Sequence, residues 1–129
     1  MSLDTVLGAR LAGFPGLTDL VGTKVYAPSL PQGDQLPAVT YHLVDGTREQ
    51  GMTGDHGMAH PRFQVDCWAE TYAAVKAIAD QVRLALERWS DGTTTPVILD
   101  SFSAGERDLP EPEAGLQRIS MDFIIWHRE

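Results

Sequence analysis

The chain has 129 residues and a mass of 14.1 kDa, with 43% hydrophobic and 22% charged residues, a size that predicts one domain over 1–129. It contains no run of about 18 apolar residues, its opening MSLDTVLGARLAGFPG makes a poor signal peptide, and its single cysteine, Cys67, excludes an intrachain disulfide, so a soluble, intracellular domain is expected. Eighteen acidic against ten basic residues give a formal charge of -8, and Lys24 and Lys76 are the only lysines, which argues against tight binding to nucleic-acid phosphates or anionic membranes.

Residues 3–12 place Leu3, Val6, Leu7 and Leu11 at helical spacing behind Ser2 as a cap. Gly13, Pro15 and Gly16 then read as a stop. A short second helix is expected from Thr18 or Asp19, with Leu17, Leu20 and Val21 inward. Lys24 to Ala27 is β-prone, and Pro28 to Pro37 is an extended connector. Ala38 to Asp45 alternates Val39, Tyr41 and Leu43 against Thr40 and His42, the pattern of a strand with one buried face. Arg62 to Trp68 repeats it, with Phe63, Val65 and Cys67 opposite Arg62, Gln64 and Asp66. Thr71 to Trp89 is a long amphipathic helix, capped by Thr71, with Val75, Ile78, Ala79, Val82, Ala85, Leu86 and Trp89 on one side. Pro96 to Phe102 is a further strand and Gly105 to Gly115 an acidic loop. Leu116 to His127 alternates Ile119, Met121, Phe123 and Ile125 against Arg118, Ser120 and Asp122. This order predicts an α+β fold: a mainly antiparallel sheet covered on one face by the long helix, with a short N-terminal helix.

The segment 46–60, GTREQGMTGDHGMAH, is too long for a plain turn between the two central strands. Its four glycines make it costly to order alone, while Met52 and Met58 offer adaptable apolar contacts. A flexible hairpin arm that orders against another chain reconciles the two.

Catalytic chemistry finds little support. His56, His60 and Asp55 have a metal-like spacing, but Gly54 and Gly57 oppose the helix that would aim both rings at one ion. Asp66 and Asp122 are candidates for a carboxylate pair and read better as a solvated or subunit-facing sheet surface. Cys67 and His42 fall on opposite faces of their strands, so the thiol reads as a buried hydrophobe. Trp68, Trp89 and Trp126 are expected between helix and sheet. No catalytic set, metal site or cofactor site is expected.

The runs L-P-A-V-T-Y at 36–41, V-D-G-T-R at 44–48 and P-R-F-Q-V-D-C-W-A at 61–69 resemble the tail completion or tail terminator proteins of long-tailed phages, prophages and gene transfer agents. The alanine-rich helix from Tyr72 and the ending R-I-S-M-D-F-I-I-W-H-R at 118–128 extend the likeness to most of the chain. The resemblance implies a non-enzymatic virion protein, assembled in the host cytoplasm, that forms a ring, commonly a hexamer, at the head-proximal end of the tail tube. There it would stop tube growth and present a head-joining surface, with the tail tube protein and a head-tail connector protein as partners. The genome would pass through its channel without specific binding, which suits an acidic chain poor in lysine. Subunit-interface candidates are Thr47, Arg48, Glu49, Met52 and Met58 in the arm and Arg62, Asp66 and Arg118 on the polar sheet face. The competing readings are a head-closure or stopper protein, a small metal-dependent hydrolase using His56, His60 and Asp55, and a small-ligand binding domain.

Overall fold

A computed structural model describes residues 3–27, 36–45, 48–51, 54–109 and 115–128, with the backbone alone over 48–51 and 54–57. Its helices are α1 (Leu3–Ala12), α2 (Pro15–Val21) and α3 (Tyr72–Leu86). Its strands are β1 (Val25–Tyr26), β2 (Ala38–Asp45), β3 (Arg48–Gly51), β4 (Gly54–Ala59), β5 (Arg62–Ala69), β6 (Val97–Asp108) and β7 (Gln117–Arg128). The class is α+β, as the order of elements predicts. The proposed cap Ser2, the connector 28–35 and the centre of the acidic loop at 110–114 lie outside the described residues.

In α1, Leu3, Val6, Leu7 and Leu11 are buried as their spacing predicts. α2 begins earlier than expected, because Pro15, read as a stop, is its first residue. A proline there sacrifices no intrahelical hydrogen bond and its ring presets the helical φ. Leu17 and Val21 turn inward, whereas Leu20 is exposed. In α3, Thr71 caps the first turn by accepting from the Ala74 N–H at 3.2 Å, and Val75, Ile78, Ala79, Val82, Ala85 and Leu86 are buried. The helix stops before Trp89. Glu87 is extended, Arg88 takes φ 57°, and the Arg88 N–H donates to the Ser101 carbonyl of β6 at 2.5 Å. With 15 residues, α3 is about 22 Å long. A single long helix across the sheet is therefore corrected to a layer of three, all feeding one core with Phe63, Val65, Ile119, Met121, Phe123 and Ile125.

β7 is the spine of the sheet. β5 runs antiparallel along one side, from Ala69↔Gln117 to Arg62↔Ile124, and β4 continues along that side with Ala59↔His127 and Met58↔Arg128. The Ile125 N–H spans the break by donating to the Pro61 carbonyl at 3.1 Å. β6 occupies the other side. β2 pairs antiparallel with β5, and β1 adds to β2 in parallel. Beyond β2 and β5, β3 and β4 pair with each other, Arg48↔Ala59 to Gly51↔Gly54. Segment 46–60 thus holds the distal half of one long hairpin, as its length and glycines predict.

Two expectations fail on the sheet. β6 runs to Asp108 instead of ending at Phe102, because 12-residue β7 offers it a ladder and two register shifts, at Ile98/Asp100 and Ser103/Gly105, absorb the mismatch. Leu43 shares a face with Val39 but is half exposed, since β2 outruns the helical layer.

Candidate assembly interface

Side chains alternate between faces along a strand. On β5 and β7, one set enters the core that α1, α2 and α3 cover. The other set, Arg62, Gln64, Asp66 and Trp68 with Arg118, Ser120 and Asp122, lies on the opposite face, where cross-strand register brings them together. β6 adds Arg107 beside Ser120, and β2 adds Thr40 beside Asp66.

These residues form one network. Arg62 donates to Asp122 Oδ2 from Nε at 3.1 Å and from Nη2 at 2.9 Å, and Arg107 Nη1 stands 3.6 Å from the same oxygen. Arg107 also donates to Gln64 Oε1 at 3.4 Å. Gln64 Nε2 donates to both oxygens of Asp66, at 3.0 and 3.1 Å, and Arg118 Nη2 donates to Asp66 Oδ2 at 2.8 Å. Trp68 Nε1 donates to Thr40 Oγ1 at 3.0 Å, and the Arg118 guanidinium lies 4.8 Å over the Trp68 ring.

The network is layered by charge. The carboxylates are at the bottom, with side-chain exposures of 5% for Asp66 and 10% for Asp122. The guanidiniums lie above, at 23% for Arg118, 39% for Arg62 and 46% for Arg107. Unpaired carboxylates at that depth would be strongly disfavoured, and charge-assisted bonds to arginine offset much of the lost hydration. Among the described residues, Asp122 Oδ1 and Ser120 Oγ remain buried without a hydrogen-bond partner.

Cys67 is buried on the core face, and burial, then the charges of Asp66 and Glu106, push its thiol far above its ordinary range, with Arg83 opposing. His42 sits on the other face of its strand. His60 stacks on Trp126 with ring centres 4.3 Å apart. Among the described residues no three His, Cys, Asp or Glu side chains gather in metal-binding range.

Of the interface candidates, Arg62, Asp66 and Arg118 are brought into this one network. Met58 is half-buried at the base of the arm, opposite Arg128. Arg48 and Glu49 lie on β3, described by backbone alone, and Thr47 and Met52 lie outside the described residues. Asp66 and Asp122 do not form a carboxylate pair, since each binds its own arginine. Gln64 and Asp122, which the sequence places on the polar sheet face without counting them among the interface candidates, join the network, and so does Arg107, which it does not single out. The first two share the strand parity of Arg62 and Arg118, a signal that was available. Arg107 gave none, because its segment reads as a loop until β7 is seen to extend it. The tryptophan expectation is also corrected. Trp89 is buried in the core, while Trp68 and Trp126 belong to the opposite face, as their parity with Asp66 and Asp122 requires.

The architecture is that of an α+β domain whose three helices cover one face of a curled, mainly antiparallel sheet. It is similar to a chain from the virion of a native gene transfer agent particle, with a TM-score of 0.83, 21% identity, and coverage of 99% of this chain and 96% of that one. At that identity the likeness is one of fold. The chain belongs to the tail completion protein gp17 family, whose model matches residues 5–128. It is accordingly a structural protein of a phage-type virion tail, as its resemblance implies. No curated protein matches it. No described helix is long and apolar enough to cross a membrane.

Proposed function

We propose that this protein, acting as one domain, forms a ring of identical copies, six on the family's pattern, at the head-proximal end of a tail tube. The ring ends tube growth and gives the head a surface to join, and its partners are the tail tube protein, a head-tail connector protein and further copies of itself. The observation that carries this reading is the hairpin of β3 and β4. Among the described strands β3 pairs with β4 alone, and β4 touches the body ladder only through Met58 and Ala59. A projecting arm on each copy is the element a head-to-tail contact needs, and such contacts close into rings when the rotation allows. Thr47, Arg48, Glu49, Met52 and Met58 supply the arm's side of the contact, and Arg62, Asp66 and Arg118 contribute from the sheet. The genome passes through the opening without specific binding, consistent with the -8 charge.

The test is electron microscopy and native mass spectrometry of concentrated full-length protein. A variant with residues 49–56 replaced by a two-residue turn serves as comparison. Closed rings from the full chain, and monomers of nearly unchanged melting temperature from the variant, are expected. A full chain that stays monomeric and fails to cap tail tubes in a complementation assay would reject the reading.

A further inference from the structure

We infer that the charged sheet face is a docking surface for the acidic surface of a second copy, engaged head-to-tail, with the Arg62, Arg107 and Arg118 guanidiniums as its contact layer. This rests on the ring reading and adds which face of the body is used.

Three features of the face converge. The buried residues of all three helices join the core on the other side, so among the described residues this face of the sheet carries no helical layer and is open to solvent or to a partner. Next, its charges are stratified, with carboxylates shielded beneath and guanidiniums above. What it presents outward is cationic, edged by the half-buried Phe102, Ile124 and Trp126. Finally, the network's three arginines against two aspartates leave it one net positive charge in a chain of -8, so the rest of the chain, including Asp45, Asp100 and Arg128 at the rim of this face, carries nine net negative charges.

That asymmetry selects the geometry. A two-fold contact pairs a surface with itself, which would set guanidiniums against guanidiniums. Nearly any other surface of a second copy offers carboxylates instead. The favourable contact is therefore heterologous, the type that builds rings. Arginine also suits the task, because its planar fork bonds carboxylates bidentately and is weakly hydrated enough to enter an interface. Each aspartate beneath engages one edge of an arginine and fixes where the rest of that guanidinium points, which lowers the ordering cost of contact.

The experiment compares wild type with Arg107→Glu, Arg107→Lys, Arg107→Gln and Lys76→Glu by sedimentation velocity over protein concentration and salt. Arg107 is the most exposed of the three arginines, and Asp122 keeps Arg62 when it is replaced. Lys76→Glu makes the same change in net charge on α3, away from this face. Thermal melts confirm folding, and if Arg107→Glu does not fold, Arg107→Gln decides. We expect association at least tenfold weaker for Arg107→Glu, weaker for Arg107→Gln, largely restored in Arg107→Lys and unaltered in Lys76→Glu. Wild-type association should also weaken as salt rises. Rings that form equally well with Arg107→Glu would overturn this inference while leaving the ring reading intact. Equal loss in Lys76→Glu, which would point to bulk charge, or a two-fold dimer, would overturn it as well. A wild type monomeric at every concentration would reject both. If assembly is untouched but a short DNA duplex binds wild type and not Arg107→Glu, a phosphate backbone occupies the face and the inference fails.

Discussion

Gly22 closes α2 at φ 63°, ψ -126°, and a Cβ built there meets no atom within 4 Å. Its requirement is purely one of backbone conformation, because L side chains crowd the adjacent carbonyl at such angles. Gly22→Ala should therefore cost about 1–3 kcal/mol, read as a shift in the urea midpoint without a change in slope. Cys67 makes a prediction about pH. The folded state holds its proton far more tightly than the unfolded chain, whose thiol ionises near about 8.5. Above that pH the native state binds more protons than the unfolded one, so stability falls as pH rises, and below it the contribution is fully present. Tyr41, pushed up by burial and then by the charge of Asp4, adds to the loss above 10.0. Urea midpoints at pH 7, 9 and 10 should fall in that order, and a thiol reagent should label Cys67 only after unfolding.

At the scale of elements, α3 shows why the pattern in its sequence was so readable. Val75, Ile78, Ala79, Val82, Ala85 and Leu86 recur at three- and four-residue steps and are all buried, while Leu84 falls off that stripe and is exposed. Ile78, 1% exposed and part of the core cluster, has nowhere to collapse, so Ile78→Ala should cost about 2–5 kcal/mol. A calorimetric melt lowered by roughly 3–5 °C per kcal/mol checks it. The ends of the elements were less legible. Where α3 stops is decided by β6, whose Ser101 carbonyl takes the Arg88 N–H, and where β6 stops is decided by the length of β7. Both are contacts between residues distant in the chain, which periodicity within a segment does not register. Pro15 failed for a different reason. The same residue ends one helix and starts another, and the local sequence does not say which role it plays at a given break.

For the whole molecule, charge is the property that travels furthest. With a pI near 4.8, the protein should be least soluble close to that pH, where net repulsion between copies vanishes. Light scattering of a pH series, with its maximum near the pI and its decline toward pH 7, tests this. The candidate interface divides along the same line between local and global. Composition, alternation and helical spacing determined the class, the inward and outward faces of β5 and β7, the hairpin between the central strands and the family resemblance, because each depends on neighbours a few residues away. The tertiary structure decided the rest. Arg107 joined Gln64 and Asp122 only when β6 lengthened along β7, and the polar face gained its layers only when register set Arg62 and Arg118 above their aspartates. Pairing across a sheet is a matter of spatial distance, and Asp122 stands 60 positions from Arg62 in the chain while lying 2.9 Å away in the fold.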